Sequence, residues 1–381
     1  MIEIARVDIY HFCAPIKEPI LTSFGKIAAR NNVLLRVEDQ DGAHGWGEIW
    51  SSFPPCGAEN KVRLLQSIVL PTALGRSYRN PAEAWRDLTR LMRRHALQSA
   101  EPGPFAACLA GIDVALWDLA ARKAGVPLWR ALGRESLPEP LPAYASNLNP
   151  AGALEMVARC RARGYRAFKV KVAFDLAGDL ENIRRIAAGL GEGERLMLDA
   201  NQGWDIAEAR EAVPAFGDLP LDWIEEPICV DDPIEYWAEL ARLTAVPLAG
   251  GENILGQGAF NAAIDSGHLG VIQPDLGKWG GFSGCLPVAR RAVAAGRRYC
   301  PHWLNSGLGL HASAHLLSAV GGAGILEHDA LENPLQAPLA EPFPALVDGC
   351  FQLSDRPGLG VEPNLEAAGQ WLQCHIETTA R

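Results

Sequence analysis

From about residue 141 onward the chain repeats one unit: a short run rich in apolar and β-branched residues, then an amphipathic stretch of roughly ten to fifteen residues. Eight such runs can be read. They are Leu141–Asn147, Arg166–Val172, Arg195–Ala200, Leu221–Glu225, Pro247–Glu252, Gly270–Asp275, Arg297–His302 and Gly324–Glu327. Strands separated by helix-length segments pair in parallel, because only a long crossover returns the chain to the same end of a sheet. Eight units predict a closed (β/α) barrel of the triosephosphate-isomerase type.

The residues that end these runs are Ser146, then Lys169 and Lys171, Asp199 and Asn201, Glu225, Glu252, Asp275, His302 and Glu327. From Lys171 the intervals are 28, 26, 27, 23, 27 and 25 residues, one strand–helix unit each. A barrel collects the C-terminal ends of its strands around one mouth, so these side chains are predicted to meet there.

The region before the barrel reads as α+β. Glu3–Phe12, Val33–Glu38 and His44–Trp50 have strand character, with Asp41-Gly42 as a turn. Helical patterns cover about Glu59–Leu70, Pro81–His95 and Pro104–Ala124, and Gly125-Val126-Pro127 ends the last. The proline-rich segment Leu137–Pro142 is the candidate boundary. The fold class is therefore α/β, with an N-terminal α+β domain over 1–137 and a modified TIM-type barrel over 138–330. A C-terminal segment, 331–381, is expected to return to the first domain, with Phe351–Leu353 adding a strand there.

At 381 residues, 48% hydrophobic and 21% charged, the chain can bury a large core. A net charge of −10 argues against nucleic acid as a partner. No apolar run looks like a membrane span, and Met1–Phe12 reads as a strand rather than a signal peptide. Nine scattered cysteines, none in a Cys-x-x-Cys pair, argue against a disulfide framework or zinc cluster and leave the cytoplasm as the default location.

Asp199, Glu225 and Glu252 end consecutive strands. Three converging carboxylates repel one another unless a hard cation sits among them, and an all-oxygen donor set suits Mg²⁺ better than zinc. Lys169 and Lys171 lie two apart and share one face, so their like charges are expected to favour a neutral base. His302 is five strands further round, roughly opposite, and Asp275 on the preceding strand is placed to orient its ring. Glu327, if protonated, is expected to donate a hydrogen bond to a substrate carboxylate.

The stretches Phe168-Lys-Val-Lys171, Leu198-Asp-Ala-Asn-Gln202, Trp223-Ile-Glu-Glu-Pro227, Gly251-Glu-Asn253, Gln273-Pro-Asp-Leu-Gly-Lys-Trp-Gly-Gly281 and Pro301-His302 resemble the enolase superfamily, and within it the mandelate racemase subgroup. The resemblance spans nearly the whole chain. It implies Asp199, Glu225 and Glu252 as Mg²⁺ ligands, and Lys171, beside Lys169, as one base. His302 with Asp275 would be the other acid/base, and Glu327 a contact to the substrate carboxylate. Ser146 and Asn201 would be minor polar contacts and Glu226 a supporting partner. Related muconate cycloisomerases and dipeptide epimerases carry a catalytic lysine where this chain has Asp275. That difference favours the racemase and sugar-acid dehydratase branch. Lys278 occurs in both patterns and is not the expected base.

The expected substrate is a small-molecule carboxylate, and the resemblance suggests a homo-oligomer. Dehydration of a sugar acid is the preferred reaction. Racemisation or epimerisation of a 2-hydroxy acid is the alternative, ahead of a cycloisomerase-type lyase or a barrel that only binds acids. The first domain is expected to close over the mouth through loops near residues 15–30 and 50–58, with Phe24, Trp50, Ser51 and Phe53 as contacts. Trp303, beside His302, is a further candidate. His311 and His315 are spaced i, i+4, but Ala312 stands where a zinc-protease helix needs Glu, so helix packing is the expectation.

Overall fold

The computed structural model describes residues 1–380. The second half is a curled parallel sheet whose strands lie in chain order: Leu141–Leu148, Ala167–Lys171, Arg195–Asp199, Trp223–Glu225, Leu248–Gly250, Leu269–Ile272 and Arg298–Tyr299, with Leu326–Asp329 paired to the first. The seventh and eighth strands meet by close approach rather than by a ladder. A Cβ on Gly324 would sit 2.1 Å from the carbonyl oxygen of Tyr299, so only glycine lets the chains come this near.

One inward side chain from each strand fills the lower barrel: Tyr144, Ala167, Met197, Trp223, Ala249, Val271, Cys300 and Ile325 form a single buried cluster. This plug makes the interior a packed core rather than a pore. Outside, the helices pack their apolar faces on the sheet. The helix Ile206–Gly217 begins with a reciprocal capping box between Asp205 and Glu208, which satisfies backbone donors left free at a helix start.

The N-terminal domain is a four-stranded antiparallel sheet in the order Leu372–Thr379, Arg6–Thr22, Gly25–Glu38, His44–Ile49. Two corrections to the sequence reading follow. The returning strand is Leu372–Thr379, paired with Phe12 back to Arg6, whereas Cys350–Phe351 pairs antiparallel with Leu141 and Pro142 of the first barrel strand. The segment expected as a covering loop is instead a hairpin. Its strands run on past Phe12, through an irregularity between Pro15 and Ile20, to a tight turn at Ser23-Phe24.

The helix Pro102–Lys123 lies across this sheet. Cβ atoms on Gly45 and Gly47 would come within 2.2 Å of its Ala115 carbonyl and 2.0 Å of its Gly111 carbonyl, so the two glycines set the packing distance. By length and composition this helix passes as a membrane span, contrary to the sequence expectation, but 78% of its apolar window is buried inside the protein.

Carboxylates of this domain hold the barrel at the starts of two of its helices. Glu48 accepts from Ser306 N at 3.0 Å, Ser306 Oγ at 2.5 Å and Gly309 N at 3.0 Å, at the start of Gly307–Val320. Asp113 accepts from Ser283 N at 2.9 Å at the start of Gly281–Ala294. Unpaired N–H groups and the positive helix end make these positions natural carboxylate sites. The domain is thereby fixed over the C-terminal mouth.

Candidate active site

Counting two residues on from each member of the plug gives the next inward layer: Ser146, Lys169, Asp199, Glu225, Gly251, Gln273, His302 and Glu327. Alternate residues share a face, so one step of period two changes the barrel interior from apolar to almost wholly polar. The strands of the second half end earlier than the sequence suggested. Glu252, Asp275 and His302 stand two or three residues past Gly250, Ile272 and Tyr299, on the loops that follow.

Lys169 sits in the middle of this layer, almost fully buried. Its Nζ is 2.7 Å from Glu225 Oε1, 2.7 Å from Glu327 Oε1 and 3.7 Å from Asp199 Oδ2. Lys171 Nζ donates to Asp199 Oδ2 at 2.7 Å and to Asn201 Oδ1 at 2.5 Å. The lysines therefore do not face one another unscreened. Burial alone would lower Lys169, but Glu225 and Glu327 raise it well above the ordinary range. The expectation that mutual repulsion would neutralise a lysine is overturned at Lys169, because acid groups outnumber basic ones around it.

Across the mouth, His302 Nδ1 bonds Asp275 Oδ2 at 2.6 Å. Asp275 is fixed in turn by the backbone N–H groups of Gly277 and Lys278, at 2.7 and 2.9 Å to Oδ1. The other ring nitrogen of His302 meets Glu252. Burial opposes the charged ring, yet Glu252 and Glu327, with hydrogen bonds to Asp275 and Glu252, raise His302 to about 10. Glu252 is held well below its ordinary value: its burial is outweighed by His302 and Lys278.

Glu327 is a second correction. Burial would raise it, but Lys169 and His302 lower it, which favours the carboxylate over the expected proton donor. It accepts from Ser146 Oγ at 2.6 Å and from Trp303 N at 3.0 Å. Ser146 is thus a fully buried support of Glu327. Trp303 is likewise buried, its ring against Gly277 and Gly309 and its Nε1 donating to the Ser306 carbonyl. Neither residue is among those lining the cavity.

That cavity has a volume of about 280 Å³ and lies between barrel mouth and hairpin. Lys171, His302, Glu252 and Asn201 open onto it from below, and Phe24 and Trp50 from above. Phe53 also lines it, but Ser51 does not. Ser51 is fully buried and donates to the Asn31 carbonyl at 2.9 Å, and Ser52 lines the wall instead.

The sequence reading gave no role to several residues here. Gln273 donates to Glu225 Oε2 at 2.7 Å, and counting two on from Val271 would have found it. Lys278 lines the cavity with Nζ 3.2 Å from Glu252 Oε1 and 4.4 Å from the centre of the Trp50 ring. Arg30 and Asn147 line it too. His311 and His315 are buried in their helix, where His311 bonds the Gly307 carbonyl and His315 accepts from Trp129 N.

The donor set fits a divalent cation by charge. Six carboxyl groups (Asp199, Glu225, Glu226, Glu252, Asp275 and Glu327) face four basic groups (Lys169, Lys171, Lys278 and His302). The two carboxyls with raised values are Glu225, pushed by burial to about 7 against the pull of Lys169, and Glu226, pushed well above normal by burial and Glu252. A doubly charged ion would remove that excess. Among the described residues, three potential ligating side chains bring their ligand atoms within 4.8 Å of one another only at Asp8, His375 and Glu377 on the outer sheet. There Arg6 pairs with both acids and Arg36 lies 3.5 Å from Asp8, so two guanidinium groups already face the two carboxylates. In the barrel, Glu252 turns to His302 and Lys278 instead of closing on Asp199 and Glu225.

Family models match both parts of the chain. Residues 4–133 match the mandelate racemase/muconate lactonizing enzyme N-terminal domain, and residues 153–368 the enolase C-terminal domain-like model. D-galactarolactone cycloisomerase of Agrobacterium fabrum is 32% identical over 89% of this chain and 90% of its own length. A crystal structure described as mandelate racemase/muconate lactonizing enzyme from Bordetella bronchiseptica is 48% identical, with a TM-score of 0.90 over 96% of this chain and 98% of that one. A racemase from Streptomyces coelicolor with bound magnesium is 29% identical, with a TM-score of 0.84 over 98% of this chain and 100% of that one. Sugar-acid dehydratases and a further racemase are also among the relatives.

Proposed function

We propose that this chain, which belongs to the mandelate racemase/muconate lactonizing enzyme family of the enolase superfamily, removes the proton next to the carboxylate of a sugar acid and expels the neighbouring β-hydroxyl as water. The observation that carries this reading is that Lys171 and His302 open onto one cavity from opposite sides, with Glu252 between them. Asp199, Glu225 and Glu252 are the residues that would hold Mg²⁺, which when bound supplies positive charge to the substrate carboxylate. Lys169 lies at the same depth and adds a fixed ammonium on that side.

Lys171, once it has given up a proton, takes the α-hydrogen. His302 begins protonated, because Asp275 and the surrounding acids hold it so, and gives its proton to the departing hydroxyl. The α-C–H and β-C–O bonds break and a carbon–carbon double bond forms. The resulting enol takes up a proton at C3 and becomes a 2-keto-3-deoxy acid. A charged acid facing a base suits elimination. The cycloisomerase relative supports a second reading, in which the leaving oxygen belongs to a ring and stays attached to the product.

The test is incubation with Mg²⁺ in D₂O against sugar mono- and diacids, their lactones and simple 2-hydroxy acids, followed by mass spectrometry and NMR. Loss of water from a sugar acid is the expected result. Ring opening without loss of water, with one deuterium at C3, supports the second reading. Deuterium uptake with inversion and no elimination would replace both with racemisation.

A further inference from the structure

Arg30 lies on the hairpin strand Gly25–Glu38 and is 2% exposed, yet it lines the cavity. Burying a guanidinium is costly unless its donors are used. Its Nε donates to the Glu332 carbonyl at 3.2 Å, and its Nη2 lies 2.7 Å from Asp329 Oδ2. That Nη2 is sealed from the cavity and makes no aligned hydrogen bond among the described residues, so Asp329 holds it by charge, and the remaining nitrogen, Nη1, is the donor left for the substrate space. Asp329 is itself held by the side-chain amides of Asn147, at 3.1 Å, and Asn333, at 3.2 Å. Asp329 does not line the cavity, whereas Arg30 does. The pair thus turns its cationic member toward the substrate space.

Its position round the barrel gives this cation a direction. The acids that fit a metal lie on strands three and four and just past the fifth, and the two bases on the second strand and after the seventh. Asp329 ends the eighth strand and Asn147 lies near the end of the first. Arg30 therefore sits across the mouth from the metal-side carboxylates. An acid bound by its carboxylate on that side, with its α-carbon between Lys171 and His302, projects its far end to Arg30.

We propose that Arg30 is a specificity-determining residue that receives a second carboxylate, so that the substrate is a sugar diacid rather than a monoacid. This rests on the sugar-acid reading above. With Nε and Nη2 turned to Glu332 and Asp329, Nη1 can give a carboxylate a charge-assisted hydrogen bond, which a terminal hydroxymethyl cannot equal.

Binding can be read apart from turnover. Calorimetry with the Mg²⁺-loaded protein would compare galactarate with D-galactonate and D-glucarate with D-gluconate, pairs that differ only at C6. The wild type is expected to bind at least one diacid about tenfold or more tightly than its monoacid. Arg30→Gln should erase that preference with little change for the monoacid, and Arg30→Lys should keep part of it. Equal affinities within both pairs in the wild type, or no binding by any of the four, would overturn the proposal whether or not the variants fold. So would a diacid preference that survives in folded Arg30→Gln. A diacid preference without elimination from any acid would leave the role of Arg30 standing and remove the dehydration reading.

Discussion

The barrel rim and the hairpin above it face the same cavity, yet their sequences carry different amounts of information. On the rim, function follows the architecture. Every unit delivers one residue to one layer, so Lys169, Asp199, Glu225, His302 and Glu327 can be found by counting. On the hairpin, Ile20, Phe24, Ile27 and Arg30 reach the cavity because two strands run on past the sheet, and no repeat marks the place. The contrast teaches that strand periodicity places side chains around a barrel mouth, whereas a single local excursion of the chain decides what lies over it.

The strongest way to test the rim half of this comparison is Glu252→Gln. It removes a charge from the acid set, and Mg²⁺-dependent turnover should fall by roughly 10³-fold or more. Activity assays across Mg²⁺ concentration, with calorimetric titration of the ion, would check it. Undiminished activity would take Glu252 out of the metal set.

His302→Asn should reduce turnover by about 10²- to 10⁴-fold while Lys171 still exchanges the α-proton of one stereoisomer for deuterium. Proton NMR in D₂O reads both. Loss of exchange together with turnover would mean that the two bases do not act independently.

The hairpin half predicts a smaller and different effect. Phe24→Ala at the turn removes a ring that stacks edge-on with Phe53 at a centroid distance of 4.8 Å. KM should rise by roughly tenfold with kcat nearly unchanged, as expected for a contact made equally in ground and transition states. A fall in kcat alone would place the hairpin in the chemical step.

The smallest effect concerns how the two regions are held together. Burial pushes Asp113 up to about 7, partly offset by hydrogen bonds from Ser283. A carboxyl raised on folding adds stability that is fully present below its ordinary value and is lost as pH rises through about 7. Thermal unfolding should therefore show declining stability between about pH 4 and 8. Asp113→Asn should flatten the decline by roughly 1–3 kcal/mol. An unchanged slope would mean that Asp113 stays ionised at the helix start.

Parts of the fold resisted reading for identifiable reasons. Phe351–Leu353 has strand character, but a strand's partner depends on which open edge lies near. Phe351 found the first barrel strand, while Leu372–Thr379 found the outer sheet. Ser146 and Trp303 lie beside the candidate site but contact Glu327 and Ser306 rather than the cavity, because acceptors buried below its floor take their donors. Ser51 and Ser52 exchange roles because one residue's shift at the end of a strand reverses which side chain faces the cavity.

The sequence by itself determined the eight-unit barrel and which acidic and basic residues lie at its mouth, because period two and a unit of about 25 residues are properties of the backbone that any observer can count. Only the tertiary structure decided which acids pair with which bases. Lys169 lies 2.7 Å from both Glu225 and Glu327, which raises the lysine, while Lys169 and His302 lower Glu327. Those shifts depend on burial and on distances of a few ångströms between groups far apart in the chain, and no spacing along a sequence encodes them.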